Sequence, residues 1–127
     1  MITGIGTDIL EIHRIQKIFE RLGMRIVHRF LTKNEIMDFQ NLKNKNQKIN
    51  FLAKRFCAKE AFLKALGTGL RKPYNLNNIE IAHDDLGKPF FIFHGKPKIF
   101  FKNAHLSLSD TAQFVVAFVI LEAENVG

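Results

Sequence analysis

Glu60 is a carboxylate in unusual surroundings, because it lies in the most apolar helix that the sequence predicts, over residues 51–66. At about 100° per residue, its neighbours on the helix surface are Leu52, Phe56 and Leu63. A carboxylate buried without a partner costs several kcal/mol, so Glu60 needs a cation. Lys64 follows four residues later in the favourable order and supplies one if the pair only stabilises the helix.

Asp8 is a second acidic residue in an apolar segment, between Gly4-Ile5-Gly6-Thr7 and Ile9-Leu10. One interpretation is an Asp at a strand end that caps the next helix. The other joins Asp8 to Glu60, since Mg²⁺ takes one or two protein carboxylates together with waters and substrate phosphates. The sequence is compatible with both interpretations.

Basic residues surround Glu60 along the chain. Between Phe51 and Lys72 it is the only acidic residue among six basic ones, namely Lys54, Arg55, Lys59, Lys64, Arg71 and Lys72. Gly67 and Gly69 would let the backbone approach a ligand closely. This pattern suits a phosphate-rich ligand, although it is not a P-loop. The other interpretation of Gly67 is a helix cap in a solvated loop.

His105 shares one side of a predicted strand with Ser107 and Ser109. A single His in this position is more often a hydrogen-bonded structural residue. The histidines lack the spacing of a zinc site, and Cys57 has no companion cysteine. We therefore predict no zinc site and no Ser or Cys nucleophile.

A basic stripe runs along the first predicted helix. Arg14, Lys17 and Arg21 lie opposite its apolar side, and Arg25 follows just beyond. Such a stripe is either a solvated surface or a docking surface for an acidic partner, where the charges mainly raise association rates.

The elements that must position these residues change character along the chain. We expect a first strand over 1–10, a helix over 12–22 that Gly23 ends, and a second helix from the capping box Thr32–Glu35. Residues 41–50 are expected to be a loop before the helix over 51–66. Strands then follow over 79–83, 89–94, 104–109 and 114–122. This order predicts a single α+β domain with an antiparallel sheet packed by helices.

The last predicted strand is apolar on both faces, whereas one face of an antiparallel sheet usually meets water. Either helices cover one face and another subunit covers part of the other, or the chain's own helices wrap the whole sheet. The sequence favours neither.

Composition limits the function classes. The 127 residues carry 19 Lys and Arg against 12 Asp and Glu, a net charge of +7, so anionic partners are expected.

The longest apolar run, Phe114–Leu121, is far shorter than the roughly 20 residues of a membrane helix. No signal peptide is visible, and the single cysteine predicts a cytoplasmic protein. The 13 Phe residues lie in apolar runs typical of a core. A non-enzymatic RNA-binding module and a purely structural protein remain the rival classes.

Three segments together resemble the bacterial holo-[acyl-carrier-protein] synthases, the small homotrimeric branch of the 4′-phosphopantetheinyl transferases. They are Gly4-Ile-Gly-Thr-Asp-Ile-Leu-Glu-Ile12, Arg55-Phe-Cys-Ala-Lys-Glu-Ala61 continuing through Lys64-Ala-Leu-Gly-Thr-Gly69, and His105-Leu-Ser-Leu-Ser109. The resemblance covers nearly the whole chain, 1–127, as one domain. The chain departs from the family pattern at Asp110, where the third motif usually has His.

The resemblance implies Mg²⁺-dependent transfer of 4′-phosphopantetheine from coenzyme A to a serine of apo acyl carrier protein, releasing adenosine 3′,5′-bisphosphate. It implies that Asp8 and Glu60 hold Mg²⁺ and that Lys64 contacts the phosphates. Coenzyme A contacts would then come from Arg55, Lys64, Gly67 and His105, and carrier contacts from Arg14, Arg21 and Arg25. It also implies a homotrimer with active sites between subunits, in lipid biosynthesis, with no nucleic acid partner.

Overall fold

The computed structural model describes residues 1–67, 74–95 and 101–124. It contains five strands, four α-helices and one 3₁₀ turn within those ranges. In chain order these are β1 (Ile2–Glu11), α1 (Ile12–Leu22), α2 (Met24–Phe30), α3 (Lys33–Gln40), α4 (Lys45–Leu66), the 3₁₀ turn (Leu76–Asn78), β2 (Ile79–His83), β3 (Pro89–Phe93), β4 (Asn103–Asp110) and β5 (Phe114–Glu122).

The main sheet has three antiparallel strands in the order β1-β5-β4. Asp8 pairs with Ala117, which in turn pairs with Leu108, so these three residues share one face. The strand that begins the chain thus pairs with the last strand described. Helix α4 covers this face, and Val115, Ala117 and Val119 beneath it are fully buried.

A smaller antiparallel pair, β2 and β3, lies beside the main sheet. Its side chains join an aromatic cluster around Phe62 of α4, whose ring centroid lies 4.9–5.6 Å from the other four rings. Those rings belong to Tyr74, Phe91, Phe93 and Phe101. The prediction that the phenylalanines of the apolar runs are core residues is confirmed for Phe91 and Phe93, whereas Phe90, Phe114 and Phe118 are 37–40 % exposed.

Most predicted elements are present, and the α+β class is confirmed. Thr32 and Glu35 form the predicted capping box, and Gly23 ends α1 with a φ of 60°. Two expectations are wrong. The short helix α2 was not predicted, and the expected loop over 41–50 instead contains the start of α4, which Asn44 caps by accepting a hydrogen bond from the Gln47 amide.

The outer face of the main sheet is open to solvent in the single chain. Five large apolar side chains lie there at 37–64 % exposure, namely Ile5, Ile9, Phe114, Val116 and Phe118. The helices in the described part of the chain therefore leave this face uncovered, which contradicts the alternative of a sheet wrapped by the chain's own helices. Among the described helices, none combines the length and apolarity that crossing a membrane requires.

Candidate active site

Two glycines of β1 allow α4 to approach the sheet closely. A Cβ atom at Gly4 would lie 2.2 Å from the carbonyl oxygen of Ala65, and one at Gly6 would lie 1.9 Å from that of Ala61. Neither position tolerates a side chain without moving the helix. Asp8 is next on the same face of β1, so the close packing brings its carboxylate to the last two turns of α4.

Lys64 is the immediate partner of Asp8. Its ammonium donates to Asp8 Oδ1 at 2.8 Å and to the carbonyl of Thr7 at 3.2 Å. This hydrogen bond to Asp8 is the main cause that raises the pKa of Lys64. The Lys64 side chain remains 53 % exposed. The interpretation of a buried Glu60–Lys64 pair is therefore wrong, because Lys64 pairs with Asp8 at the surface.

Glu60 completes the group one helical turn before Lys64. Among the described residues nothing donates a hydrogen bond to its carboxylate. Burial raises its pKa above the ordinary 4.5, and the negative charge of Asp8 raises it further, while Lys64 lowers it. Two carboxylates thus share one lysine, and the excess negative charge makes this site attractive to a cation.

No described cluster contains three or more His, Cys, Asp or Glu side chains that could hold a metal ion. The pair Asp8 and Glu60 is hence an incomplete ligand set. It fits a hard cation that takes its remaining oxygens from water and substrate, as Mg²⁺ does.

An open groove of about 470 Å³ begins at Glu60. Its lining is mostly apolar with one basic residue, Arg29, and comprises Ile26, Arg29, Phe30, Phe56, Glu60, Asn75, Leu76 and Asn77. Two of these lining residues, Phe30 and Phe56, pack their rings together at a centroid distance of 4.5 Å. A substrate that reaches Glu60 can lie in this groove.

A separate charged cluster is buried on the adjacent side of α4. The Lys59 ammonium donates to Glu35 Oε1 at 2.6 Å, and both side chains are at most 1 % exposed. Arg55 joins this cluster, with Nε 3.7 Å from Glu35 Oε2 and its guanidinium 3.7 Å from the Phe51 ring centroid. Lys59 is thus unavailable to a phosphate ligand, although the sequence counts it among the basic residues around Glu60.

The remaining predicted residues lie at several places. His105 contacts Glu122 on the outer face of the sheet, opposite the face that carries Asp8. Gly67 ends α4 in the left-handed conformation, with a φ of 79°. Arg14, Arg21 and Arg25 are exposed on α1 and the start of α2. Asp110 pairs with Lys54 at 3.5 Å. Gly69, Arg71 and Lys72 lie outside the described residues.

Sequence reasoning missed the roles of Gly4, Gly6 and Lys59. The glycines alternate along β1 with a period of two, which indicates a close approach on one face. Leu52, Phe56 and Leu63 recur at the spacing of one helix face. Lys59 lies on the same face, three residues after Phe56 and four before Leu63, where an apolar residue is expected. A lysine in an apolar stripe signals a buried ion pair.

Comparison with known proteins assigns the family. Residues 4–119 match the model of the 4′-phosphopantetheinyl transferase superfamily. The chain is 51 % identical over 126 residues to a holo-[acyl-carrier-protein] synthase of Dechloromonas aromatica, covering 96 % of this chain and 98 % of the relative. It is 46 % identical to that of Nitrosospira multiformis, covering 96 % and 99 %.

Solved structures agree with these sequence matches. A holo-[acyl-carrier-protein] synthase from Neisseria meningitidis superposes with a TM-score of 0.87 at 41 % identity, covering 96 % of this chain and 99 % of the other. The enzyme from Bacillus anthracis, in complex with CoA (3′,5′-ADP), gives a TM-score of 0.85 at 40 % identity, with coverage of 98 % and 99 %.

Proposed function

The chain belongs to the holo-[acyl-carrier-protein] synthases of the 4′-phosphopantetheinyl transferase superfamily, and from this premise we propose its reaction in detail. It transfers 4′-phosphopantetheine from coenzyme A to a serine of apo acyl carrier protein and releases adenosine 3′,5′-bisphosphate, in the cytoplasm, for lipid biosynthesis. The observation that carries the proposal is the grouping of Asp8, Glu60 and Lys64, of which Glu60 also lines an open groove.

Asp8 and Glu60 are the residues that would hold Mg²⁺. The pKa of Glu60 is raised because burial and the charge of Asp8 disfavour its ionised form. A divalent cation would supply the positive charge that stabilises that form. When bound, the ion neutralises negative charge on the diphosphate of coenzyme A and so favours attack by the serine oxygen.

The chain's own residues supply the other requirements. Lys64 is held at Asp8 by its hydrogen bond and keeps its charge, since its pKa is raised. Its exposed ammonium can contact the phosphates and stabilise the leaving 3′,5′-bisphosphate. A carboxylate of the Asp8–Glu60 pair is the candidate group for receiving the serine proton. Arg55, Gly67 and His105 are proposed coenzyme A contacts on the resemblance alone.

The carrier protein docks on the basic stripe of α1 and the start of α2. Arg14, Arg21 and Arg25 are exposed and have no acidic partner in the described residues. The acidic carrier that the reaction requires meets these charges, which then mainly raise its association rate. No nucleic acid enters this proposal.

We also propose that the enzyme is a homotrimer whose subunits cover the exposed outer sheet face. His105 lies on that face, so it cannot join the Asp8 site of its own chain. Across an interface it would face a second subunit, consistent with active sites between subunits. Light scattering should give the mass of three chains, and Phe118→Glu should yield monomers. A monomeric wild type would contradict the trimer.

The test of the reaction is direct. The purified enzyme, apo carrier protein, coenzyme A and Mg²⁺ are incubated, and intact-mass spectrometry should show the carrier gaining one phosphopantetheine group. A carrier with its acceptor serine changed to Ala is the matched control. Replacement of Mg²⁺ by a chelator should prevent the mass gain. An unmodified wild-type carrier in the complete mixture would refute the proposed function.

A further inference from the structure

The Lys59 ammonium donates three hydrogen bonds, all within the protein. It donates to Glu35 Oε1 at 2.6 Å, to the carbonyl of Phe30 at 2.6 Å and to the carbonyl of Leu76 at 3.0 Å. The side chain is fully buried. A lysine that only neutralised Glu35 would not need two backbone carbonyls from different segments. Lys59 therefore ties three parts of the chain to α4.

The Glu35 side of this cluster is equally complete. Glu35 Oε1 also accepts from the Thr32 amide at 3.0 Å, and Oε2 accepts from the Ile81 amide at 3.0 Å. Since both carboxylate oxygens are bonded to fixed backbone groups, Glu35 is a rigid anchor. The position of the Lys59 ammonium is fixed in turn.

The two carbonyls that Lys59 holds belong to two residues that line the groove beside Glu60. Phe30 ends α2, and Leu76 begins the 3₁₀ turn. Because Lys59 directly precedes Glu60 in α4, one helix carries the acidic group and, at the preceding position, the lysine that holds these two lining segments together.

This groove adjoins the surface proposed for the carrier protein. Arg25 and Arg29 are both exposed and lie four residues apart on one side of α2, and Arg29 lines the groove. An acidic protein docked on α1 and α2 therefore has the groove mouth beside it. Its acceptor serine then has a direct path to Glu60.

We propose that Lys59 is a positioning residue for the transfer reaction, which fixes the backbone of the groove at Phe30 and Leu76 and so controls productive binding of the carrier protein. It touches neither substrate and acts through the two carbonyls. The inference rests on the proposed function, since it takes the carrier protein as the occupant of the groove.

The test compares Lys59→Met with the double variant Lys59→Met/Glu35→Gln. The double variant removes both charges, so no buried carboxylate is left unpaired, while both carbonyls still lose their donor. Loss of these hydrogen bonds from a charged donor should raise the KM for apo carrier protein roughly tenfold, and its Kd from calorimetry similarly. The KM for coenzyme A should stay within about twofold. Lys45→Met, an exposed lysine on the first turn of α4, is the control and should change neither KM.

Each other outcome overturns the proposal. A purely structural role would reduce the fraction of active enzyme and leave both KM values unchanged. An equal rise in both KM values would show that the substitution disturbs the whole active site and not carrier binding in particular. Circular dichroism showing the double variant unfolded would make Lys59 a requirement of folding instead. Calorimetry measures carrier binding without turnover, so the test does not depend on the reaction. If the wild type binds the carrier but transfers no group, the proposed function is refuted while the test of Lys59 remains valid.

Discussion

Lys59 and Glu60 are neighbours in sequence, yet they belong to two charged clusters with opposite properties. The Lys59–Glu35 cluster is buried, and the ammonium of Lys59 and the carboxylate of Glu35 have their hydrogen bonds within the protein. The Asp8–Glu60–Lys64 cluster is open and has two carboxylates for one lysine. One helix thus carries a buried, hydrogen-bonded cluster on one side and, on the adjacent side, an open cluster with more negative than positive charge.

The pKa values express this difference. Desolvation lowers the pKa of Lys59 to about 8, although Glu35 opposes the shift. The hydrogen bond to Asp8 raises the pKa of Lys64, and burial beside Asp8 raises that of Glu60. The strongly shifted lysine, Lys59, is buried and bonded only within the protein, whereas the carboxylate proposed to bind the metal, Glu60, has too little positive charge around it. Perturbed pKa values therefore locate charged clusters but do not by themselves identify the active one.

The strongest test of the open cluster is removal of its charges. Asp8→Asn and Glu60→Gln should each reduce Mg²⁺-dependent transfer by roughly a thousandfold, equivalent to about 4 kcal/mol, because the ligand set for the cation is lost. The thermal midpoint of Glu60→Gln should stay at or above that of the wild type, whereas that of Asp8→Asn should fall slightly, because this variant loses the exposed ion pair with Lys64. Transfer assays and thermal unfolding check both statements, and full activity in both variants would end the metal assignment.

The closed cluster should respond in stability. Lys59→Met leaves Glu35 charged and buried, so it should lower the free energy of unfolding by about 3–5 kcal/mol. Lys64→Met, the matched change in the exposed cluster, should cost less than about 1 kcal/mol. Urea denaturation measures both values. Similar costs for the two variants would remove the contrast between the clusters.

The sequence predicts most of the fold because its local signals are strong. The capping box at Thr32 and Glu35, the glycine after α1 and the alternation along β4 all correspond to observed features. The start of α4 was missed because polar residues dominate its first turns, where no apolar periodicity exists to detect. Helix α2 was missed because it is short and follows α1 after the single residue Gly23.

The site is predictable only in part, for a physical reason. Asp8 and Glu60 stand out because each is a charge in an apolar segment, and that signal is local. That they share a lysine depends on the packing of α4 against β1, which local spacing does not encode. The position of His105 relative to a second subunit is likewise a property of an assembly, so it stays a prediction.

The close packing that forms the open cluster can be tested separately. Gly6→Ala places a Cβ 1.9 Å from the Ala61 carbonyl oxygen, so α4 must shift from β1. We expect a loss of about 1–3 kcal/mol in unfolding free energy, with weaker Mg²⁺ binding by calorimetry. Gln40→Ala, an exposed change at the end of α3 and outside β1 and α4, is the control and should change little. Unchanged Mg²⁺ binding in a destabilised Gly6→Ala would show that the packing does not position Asp8.

The docking surface should give a smaller effect. Arg14→Glu together with Arg21→Glu should raise the KM for carrier protein severalfold at low salt, because exposed charges act mainly on association. Added salt should reduce the difference. The KM for coenzyme A should not change. Steady-state kinetics with each substrate varied in turn decides the matter, and equal changes in both KM values would contradict carrier docking on α1.

The smallest effect expected is a pH dependence of stability in the open cluster. Because the pKa of Glu60 is raised in the fold, the folded state keeps its proton to higher pH than the unfolded state. Metal-free wild type should therefore lose stability relative to Glu60→Gln as the pH rises from 4.5 through that raised pKa.

Glu20 is a control of opposite sign, since its hydrogen bond with Lys45 lowers its pKa. The wild type should gain stability relative to Glu20→Gln as the pH rises through that lowered pKa to 4.5. Thermal unfolding across both pH ranges should also show that Mg²⁺ removes the Glu60 difference and leaves that of Glu20 unchanged. A Glu60 difference that persists with saturating Mg²⁺ would mean that the cation binds elsewhere.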